Sequence, residues 1–366
     1  MLSRRPAAGQ WQTARRFRGL VKDSSRAFLG EEKGAVLLDT LTHALSGALL
    51  ARATASKDAP PRSLPRRIAA GFFACAAPDL DFVIAWFGPV AYLENHRGVT
   101  HSLVLLPLWA LVLSWVLAKI LREQRGWRAL YGITAMSIGL HIAGDLITSY
   151  GTMILAPFSD WRAGIGTTFI IDLWFSGIIL AGLLVSLMAR RTRIPAMASL
   201  LALAGYVGFQ YVQRQHALDF AAQHAPPGAH ITAHPRPVSP YNWTVFVSDD
   251  ETHRFAHVNL RRTEAMRYQP GDGFIARIDS PYLPLDQAIW VVRRRYGETD
   301  SDFIAEAWRS EPLAFFRWFA DLPAFDGKEG SCAWFVDLRF DAPGRGVIAF
   351  RYGACRDGSG WRLVTS

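Results

Sequence analysis

The chain has 366 residues, half of them hydrophobic, and a net charge of +9. That length accommodates two domains, and a mean hydropathy of +0.11 is high for a soluble protein. Three cysteines exclude a disulfide scaffold. No nucleic-acid-binding motif accompanies the basic charge, which in an apolar chain marks cytoplasmic loops and lipid headgroup contacts.

Residues 1–35 are basic (Arg4, Arg5, Arg15, Arg16, Arg18, Lys22, Arg26) and lack the compact apolar core and cleavage site of a secretory signal. They read as a disordered or amphipathic arm. Six apolar segments follow, at about 36–53, 68–87, 101–121, 129–149, 169–189 and 195–213. Each is near the length that crosses about 30 Å of hydrocarbon. The first carries Asp39, Thr42, His43 and Ser46, and reads either as a span or as a short re-entrant helix. Residues 36–214 are therefore expected to form a helical membrane domain of five to six helices.

Loop charge predicts the orientation. Lys57, Arg62, Arg66 and Arg67 separate the first two segments; Arg122, Arg125 and Arg128 separate the third and fourth; Arg190, Arg191 and Arg193 separate the last two. Those loops are expected to face the cytoplasm. The loops at 88–100 and 150–168, with Arg97 and Arg162, and everything after the sixth segment then face outward. The basic arm conflicts with this count, because it falls on the outer side if the first segment crosses.

A Pro-rich stretch at 215–240 reads as a linker. Beyond it, residues 241–366 are expected to form a soluble α+β domain. WTVFVSDD, HRFAHVNL, GFIARIDS, AIWVVRRRY, CAWFVDLRF and GVIAFRYG read as strands from their β-branched and aromatic runs. DFIAEAWRSEPLAFFRWFADL reads as an amphipathic helix. If the turn at 341–346 sets Phe340 opposite Val347, counting back pairs Cys332 with Cys355. Such a pair bridges in an oxidising compartment, in accord with an outward tail. The histidines of this half (His216, His224, His230, His234, His253 and His257) read as surface residues. The chain as a whole is read as a multi-pass α-helical membrane domain followed by a soluble α+β domain.

Intramembrane Asp and His are costly and persist when paired, turned inward, or binding an ion. Here they form a set: Asp39 and His43, Asp79 and Asp81, His96 and His101, His141 and Asp145, and Asp172. Because neighbouring helices run antiparallel, these positions all lie toward one membrane face, the outer one. Asp39/His43 and His141/Asp145 are i, i+4 pairs that project from one helix face. Imidazole with carboxylate suits zinc, with manganese or iron as alternatives. The candidate metal ligands are His43, Asp79, Asp81, His96, His101, His141 and Asp145. Asp79 and Asp81 are candidate general bases, and Arg97 a candidate clamp for a substrate anion. Asp172 fits a helix N-cap as well as a ligand. Pro78 breaks the helix ladder before Asp79, and Gly98 lets its loop approach closely.

The ordered motifs LDTLTHALSGALLAR, APDLDF, HRGVTHS and HIAGDLITSYGT resemble the YdjM-type family of bacterial inner-membrane proteins, described as metal-dependent hydrolases. The resemblance covers about residues 37–190. The family is in turn distantly similar to helical zinc phospholipases C and single-strand-specific nucleases. That likeness implies metal ligation by His43, by Asp79 or Asp81, by His101, and by His141 with Asp145. A further histidine and a second late HxxxD of the wider group are not evident, so the resemblance implies one or two metals. The expected function is a membrane-embedded hydrolase in which metal-activated water attacks a phosphoester or other ester of a lipid-like substrate. The expected partners are the bilayer and that substrate, with no nucleic acid. A metal or proton transporter uses the same residue types but places its site at the midplane, with repeat symmetry. A non-catalytic scaffold with a partner-binding tail predicts a substitution-tolerant His/Asp set. No HExxH of a zinc protease is present.

Overall fold

The computed structural model describes residues 38–56, 63–269, 271–343, 348–358 and 360–365. The basic arm, Lys57, Arg62 and Val347 lie outside them. All six apolar segments contain helix: α1 over 38–53, α2 at Ser63–Ala76, α4 at Leu106–Ile120, α5 at Arg128–Leu146, α6 at Leu173–Met188 and α7 at Ile194–Gln223, while a further short helix, α3 at Pro89–Asn95, lies in the expected loop at 88–100. Pro78 halts α2, as its missing N–H requires, and the chain continues as a 3-10 segment, Pro78–Phe87.

Span length separates these helices. Ser63–Phe87 and Ile194–Gln223 are long and apolar enough to cross a membrane, and Pro89–His101 with Leu106–Ile120 makes a third if that pair, bent by 83°, is one span. The helical half thus has two to three candidate apolar spans where the hydropathy pattern predicts five to six. Segment three starts its regular helix at Leu106 rather than at 101, and segment four ends at Leu146. Their polar ends, 96–105 and 147–151, are spent on turns that build the site.

The basic loops meet at one end of the bundle. Arg52 donates to the carbonyls of Arg190 and Thr192, Arg193 donates to that of Ala55, and Arg66 lies 3.8 Å from Glu123. From there α5 runs to Asp145, about 26 Å away at 1.5 Å per residue. α1 and α2 cross at Gly47 and Gly71, where a Cβ on Gly47 would stand 2.2 Å from the Gly71 carbonyl oxygen. That approach brings His43 toward the end of α2.

The tail holds two four-stranded antiparallel sheets, each in sequential order. The first is β1 His230–Pro235, β2 Asn242–Ser248, β3 Thr252–Asn259 and β4 Val291–Arg294; the second is β5 Pro323–Glu329, β6 Cys332–Asp337, β7 Tyr352–Asp357 and β8 Gly360–Thr365. The expected linker at 215–240 is mostly ordered, because α7 continues to Gln223 and β1 follows. GFIARIDS is helix (α8, Phe274–Asp279) rather than strand; a short apolar run does not distinguish the two. The predicted amphipathic helix breaks at Pro312 into α9 Ser301–Arg309 and α10 Ala314–Phe319.

Cys332 pairs with Cys355 in register and the two form a disulfide. Among the described residues the ladder between their strands ends at Phe335 and Tyr352, and Leu338–Phe340 coils as a 3-10 turn rather than continuing the strand; residues 344–347 of the expected turn lie outside the described residues. Of the tail histidines, His253 is buried, donating through Nε2–H to the Pro323 carbonyl and bonded at Nδ1 to Ser248 Oγ. His257 bonds Thr244 Oγ1. These two are core residues rather than surface ones, because β3 is covered by the second sheet.

The halves share a core. Leu93 and Tyr150 of the helical half pack with Phe315, Phe316, Phe319, Phe335 and Tyr352 of the tail. Arg339 reaches across to donate to the Ser149 carbonyl at 3.1 Å.

Candidate metal centre

Four elements deliver the predicted residues to one buried place. α1 supplies Asp39 and His43, the 3-10 segment supplies Asp79 and Asp81, the 96–101 turn supplies His96, Arg97 and His101, and α5 supplies His141 and Asp145. Along the 3-10 segment Asp79 and Asp81 are buried, while Leu80, Phe82, Val83, Trp86 and Phe87 are exposed. The carboxylates therefore turn inward and the apolar side chains outward.

His101, His141, Asp79 and Asp145 form the centre. His101 Nε2 lies 3.1 Å from Asp145 Oδ2 and 3.7 Å from Asp79 Oδ1. His141 Nε2 lies 3.4 Å and 3.5 Å from the same two oxygens. His43 joins on the other side of Asp145, with Nε2 3.4 Å from its Oδ1 and 3.5 Å from Asp39 Oδ1. Ligand atoms of Asp79, His101 and His141 lie within 4.8 Å of one another, as do those of Asp39, His43 and Asp145, and those of His43, Cys75 and His141.

Tautomers follow from the surroundings. His141 Nδ1–H donates to the Cys75 carbonyl at 2.6 Å, leaving Nε2 bare. Thr100 Oγ1 donates to Asp81 Oδ2, so it accepts from His101 Nδ1–H at 2.9 Å, and His101 Nε2 is bare too. The two Nε2 atoms face each other at 3.0 Å. Lone pairs so placed repel unless a cation or a shared proton sits between them. Both oxygens of Asp145 are buried without a well-formed hydrogen bond. Two imidazoles and two carboxylates, bare on their facing sides, make a donor set that fits a divalent metal of the zinc type.

The remaining predicted residues hold this set rather than enter it. Asp81 accepts from His96 Nδ1 at 2.8 Å, from Thr100, and from the backbone N–H of Arg97. His96 is thereby tied behind the centre, and both stand outside the three convergent groups. Arg97, with φ +59°, is 1% exposed and turns its guanidinium to Asp145 at 2.9 Å and Asp39 at 3.4 Å. It bonds Thr148 Oγ1 as well. It acts as a counter-ion to two carboxylates, which leaves it poorly placed to clamp a substrate anion. Asp172 accepts from the N–H groups of Trp174 and Phe175, so it is the N-cap of α6 and stands apart from the cluster.

Residue-type searching undervalued three participants. Asp39 pairs with His43 and Arg97 in the structure. Thr40 donates to Asp79 Oδ2 at 2.8 Å. Gly144, between His141 and Asp145, lets His43 approach: a Cβ there would stand 2.7 Å from His43 Cε1. The i+3 position beside a pair of candidate ligands was its only signal in the sequence.

A helical half with apolar spans, a buried histidine–aspartate centre at one end, and a two-sheet tail docked beside it define a class of membrane protein with an interior polar site. Residues 38–217 match the model of the YdjM inner membrane protein family, and by this half the chain belongs to that family. The tail lies outside the match. An uncharacterized protein, YfhP of Bacillus subtilis (strain 168), is 30% identical over 156 residues, which is 38% of this chain and 47% of the relative. The match thus spans about half the relative's length. No solved structure matches.

Proposed function

We propose that this is a multi-pass membrane hydrolase that uses a divalent metal, zinc first, to cleave a phosphoester or other ester of a lipid-like substrate. The observation that carries the reading is the convergence of Asp79, His101, His141 and Asp145 with two bare imidazole nitrogens 3.0 Å apart. When bound, a divalent cation supplies Lewis-acid polarisation and lowers the pKa of water. His101, His141, Asp79 and Asp145 would hold it, with His43 and Asp39 beside them for a second ion. Asp39 retains 14% side-chain exposure against 0% for Asp145, so it is the carboxylate best open to receive a proton. Thr100, itself bonded to Asp81, and the Cys75 carbonyl keep the imidazoles in the required tautomers.

A bilayer-borne substrate is favoured by the exposed Leu80, Trp86 and Phe87 on the segment that carries Asp79 and Asp81. The outward orientation rests on the basic loops gathered at the far end of the bundle and on the Cys332–Cys355 bridge, which suits an oxidising compartment. A transporter fits less well, because the centre occupies the last turns of α5 rather than its middle.

The test is elemental analysis of the detergent-purified protein beside its His141→Ala variant. Near-stoichiometric zinc or manganese in the wild type, lost in the variant, is the expected result. Absence of metal from folded wild-type protein supplied with both ions rejects the reading.

A further inference from the structure

A second polar site lies between the helical half and the tail, and it borders the histidine–aspartate centre at Tyr150, whose ring meets His96 and Arg97. Loop 148–163 is folded back by the Thr152–Ala163 bridge, which lays Arg162 along Gly151. Arg162 donates through Nη2 to the carbonyls of Tyr150 and Gly151, and its guanidinium lies over the rings of Tyr150, Trp318 and Phe319, while Nε and Nη1 make no well-formed hydrogen bond to the protein. Arg214 of α7 has a buried Nε with no hydrogen-bond partner, and Ser149 Oγ is likewise unpartnered, whereas Tyr150 Oη lies against the Arg162 guanidinium. A Cβ placed on Gly166 would meet Ser149 Oγ at 3.4 Å and Arg214 Nε at 3.9 Å, so these atoms border one space. From the tail side, β1 brings His234, whose two ring nitrogens are both shielded and both unpartnered.

Most of the orphaned atoms are donors. Arg162 and Arg214 have no carboxylate partner among the described residues, whereas Arg339 nearby is already paired with Asp337 and Asp321. Burial, with the charges of Arg236, Arg339 and Arg214, holds the His234 imidazole well below its usual pKa and keeps it neutral. Burying unpaired donors costs about 1–3 kcal/mol each, more when charged. An anion with several oxygens would answer that cost for the two guanidinium groups, Ser149 and His234 together.

We infer that Arg214, Ser149 and His234, with Arg162 at the edge beside Tyr150, form a binding pocket for a phosphate group. It adjoins the metal centre: Arg162 Cζ and Arg97 Cζ lie 4.7 Å and 5.0 Å from the centroid of the same Tyr150 ring, and Arg97 is bonded to Asp145. The pocket gives the tail a role, since the tail closes it with His234 and Arg339. That the bound phosphate belongs to the substrate rests on the hydrolase reading; phosphate binding itself does not.

Isothermal titration of the full-length detergent-purified protein with inorganic phosphate and with dihexanoyl phosphatidic acid tests this. The wild type should bind at least one probe, and Arg214→Gln and Arg162→Gln should each weaken it by about tenfold or more, as loss of a charge-assisted bond predicts. Binding of both probes assigns the pocket to any phosphate, and binding of the lipid alone assigns it to a headgroup; either supports the site. No binding by folded wild type, or unchanged affinity in Arg214→Gln, overturns it, and Arg214→Gln serves alone if the Arg162 variant does not fold. His141→Ala should keep phosphate affinity, so loss of the metal reading leaves this result standing.

Discussion

Gly144→Ala probes the centre without removing any ligand. The residue is helical and its φ is ordinary, so alanine meets no backbone strain there. The added Cβ would lie 2.7 Å from His43 Cε1 and 3.1 Å from Nδ1. The imidazole must retreat by about 0.7 Å to restore ordinary contact, more than the ~0.5 Å tolerance of a working site. His43 Nε2 would move off Asp145, from which it now stands 3.4 Å. Overpacking of this kind costs about 1–3 kcal/mol, and a displaced ligand or supporting residue lowers metal affinity about 10- to 100-fold. The assay is zinc competition with a chromogenic chelator, with circular dichroism to confirm the fold. Gly139→Ala on the same helix is the control, because its Cβ would meet only Leu106 Cδ1 at 3.6 Å. Wild-type zinc affinity in folded Gly144→Ala protein would refute the placement of His43.

Three further outcomes are expected. Arg97→Met leaves Asp145 buried without its counter-ion, and should destabilise the helical half by about 3–5 kcal/mol, measured by unfolding in mixed detergent; a neutral result would return Arg97 to a substrate-binding role. Cys332→Ser with Cys355→Ser opens a bridge of sequence separation 23 and should cost the tail about 3 kcal/mol on the chain-entropy account, read as a lower urea midpoint that reductant does not change further. Acid should loosen the tail before its carboxylates titrate. Burial, with Arg236 nearby, lowers His257 to about 3, and burial lowers His253 as well. Between that value and about 6.5 the unfolded chain binds more protons than the folded one, so stability falls as pH drops through this window, by about 2 kcal/mol at pH 5 from His257 alone. Urea midpoints that do not move between pH 7 and pH 5 would show that these histidines are solvated.

The helical half was legible from sequence because its signals are local and redundant. Apolar runs, Pro78, and the i, i+4 spacing of His141 and Asp145 each follow from chain geometry alone. One-sidedness of the His/Asp set follows from antiparallel succession, and the structure gathers that set at the end of the bundle opposite the basic loops. The alignment of Cys332 with Cys355 was also readable, although the strand expected to run on through Phe340 ends earlier, in a 3-10 turn at Leu338–Phe340. Span count was less legible, since polar ends of apolar segments are consumed in turns, and hydropathy does not separate a crossing from a bent pair.

Tertiary structure decided which aspartate faces the centre. Asp79 and Asp81 are two residues apart on a 3-10 segment, and only the docking of α1, the 96–101 turn and α5 sends Asp79 to the imidazole Nε2 atoms and Asp81 to the outer nitrogens. It turned Arg97 into a buried counter-ion, made Gly144 a clearance for His43, and set Arg214 of α7 beside Ser149 of the 148–163 loop. Short tail elements such as Phe274–Asp279, β1 and β5 took their form from packing, because a run of six or seven residues carries too little periodicity to choose between helix and strand. Sequence determines which side chains a helix can offer to one face; the neighbours that meet that face, and therefore the chemistry, are set by long-range packing.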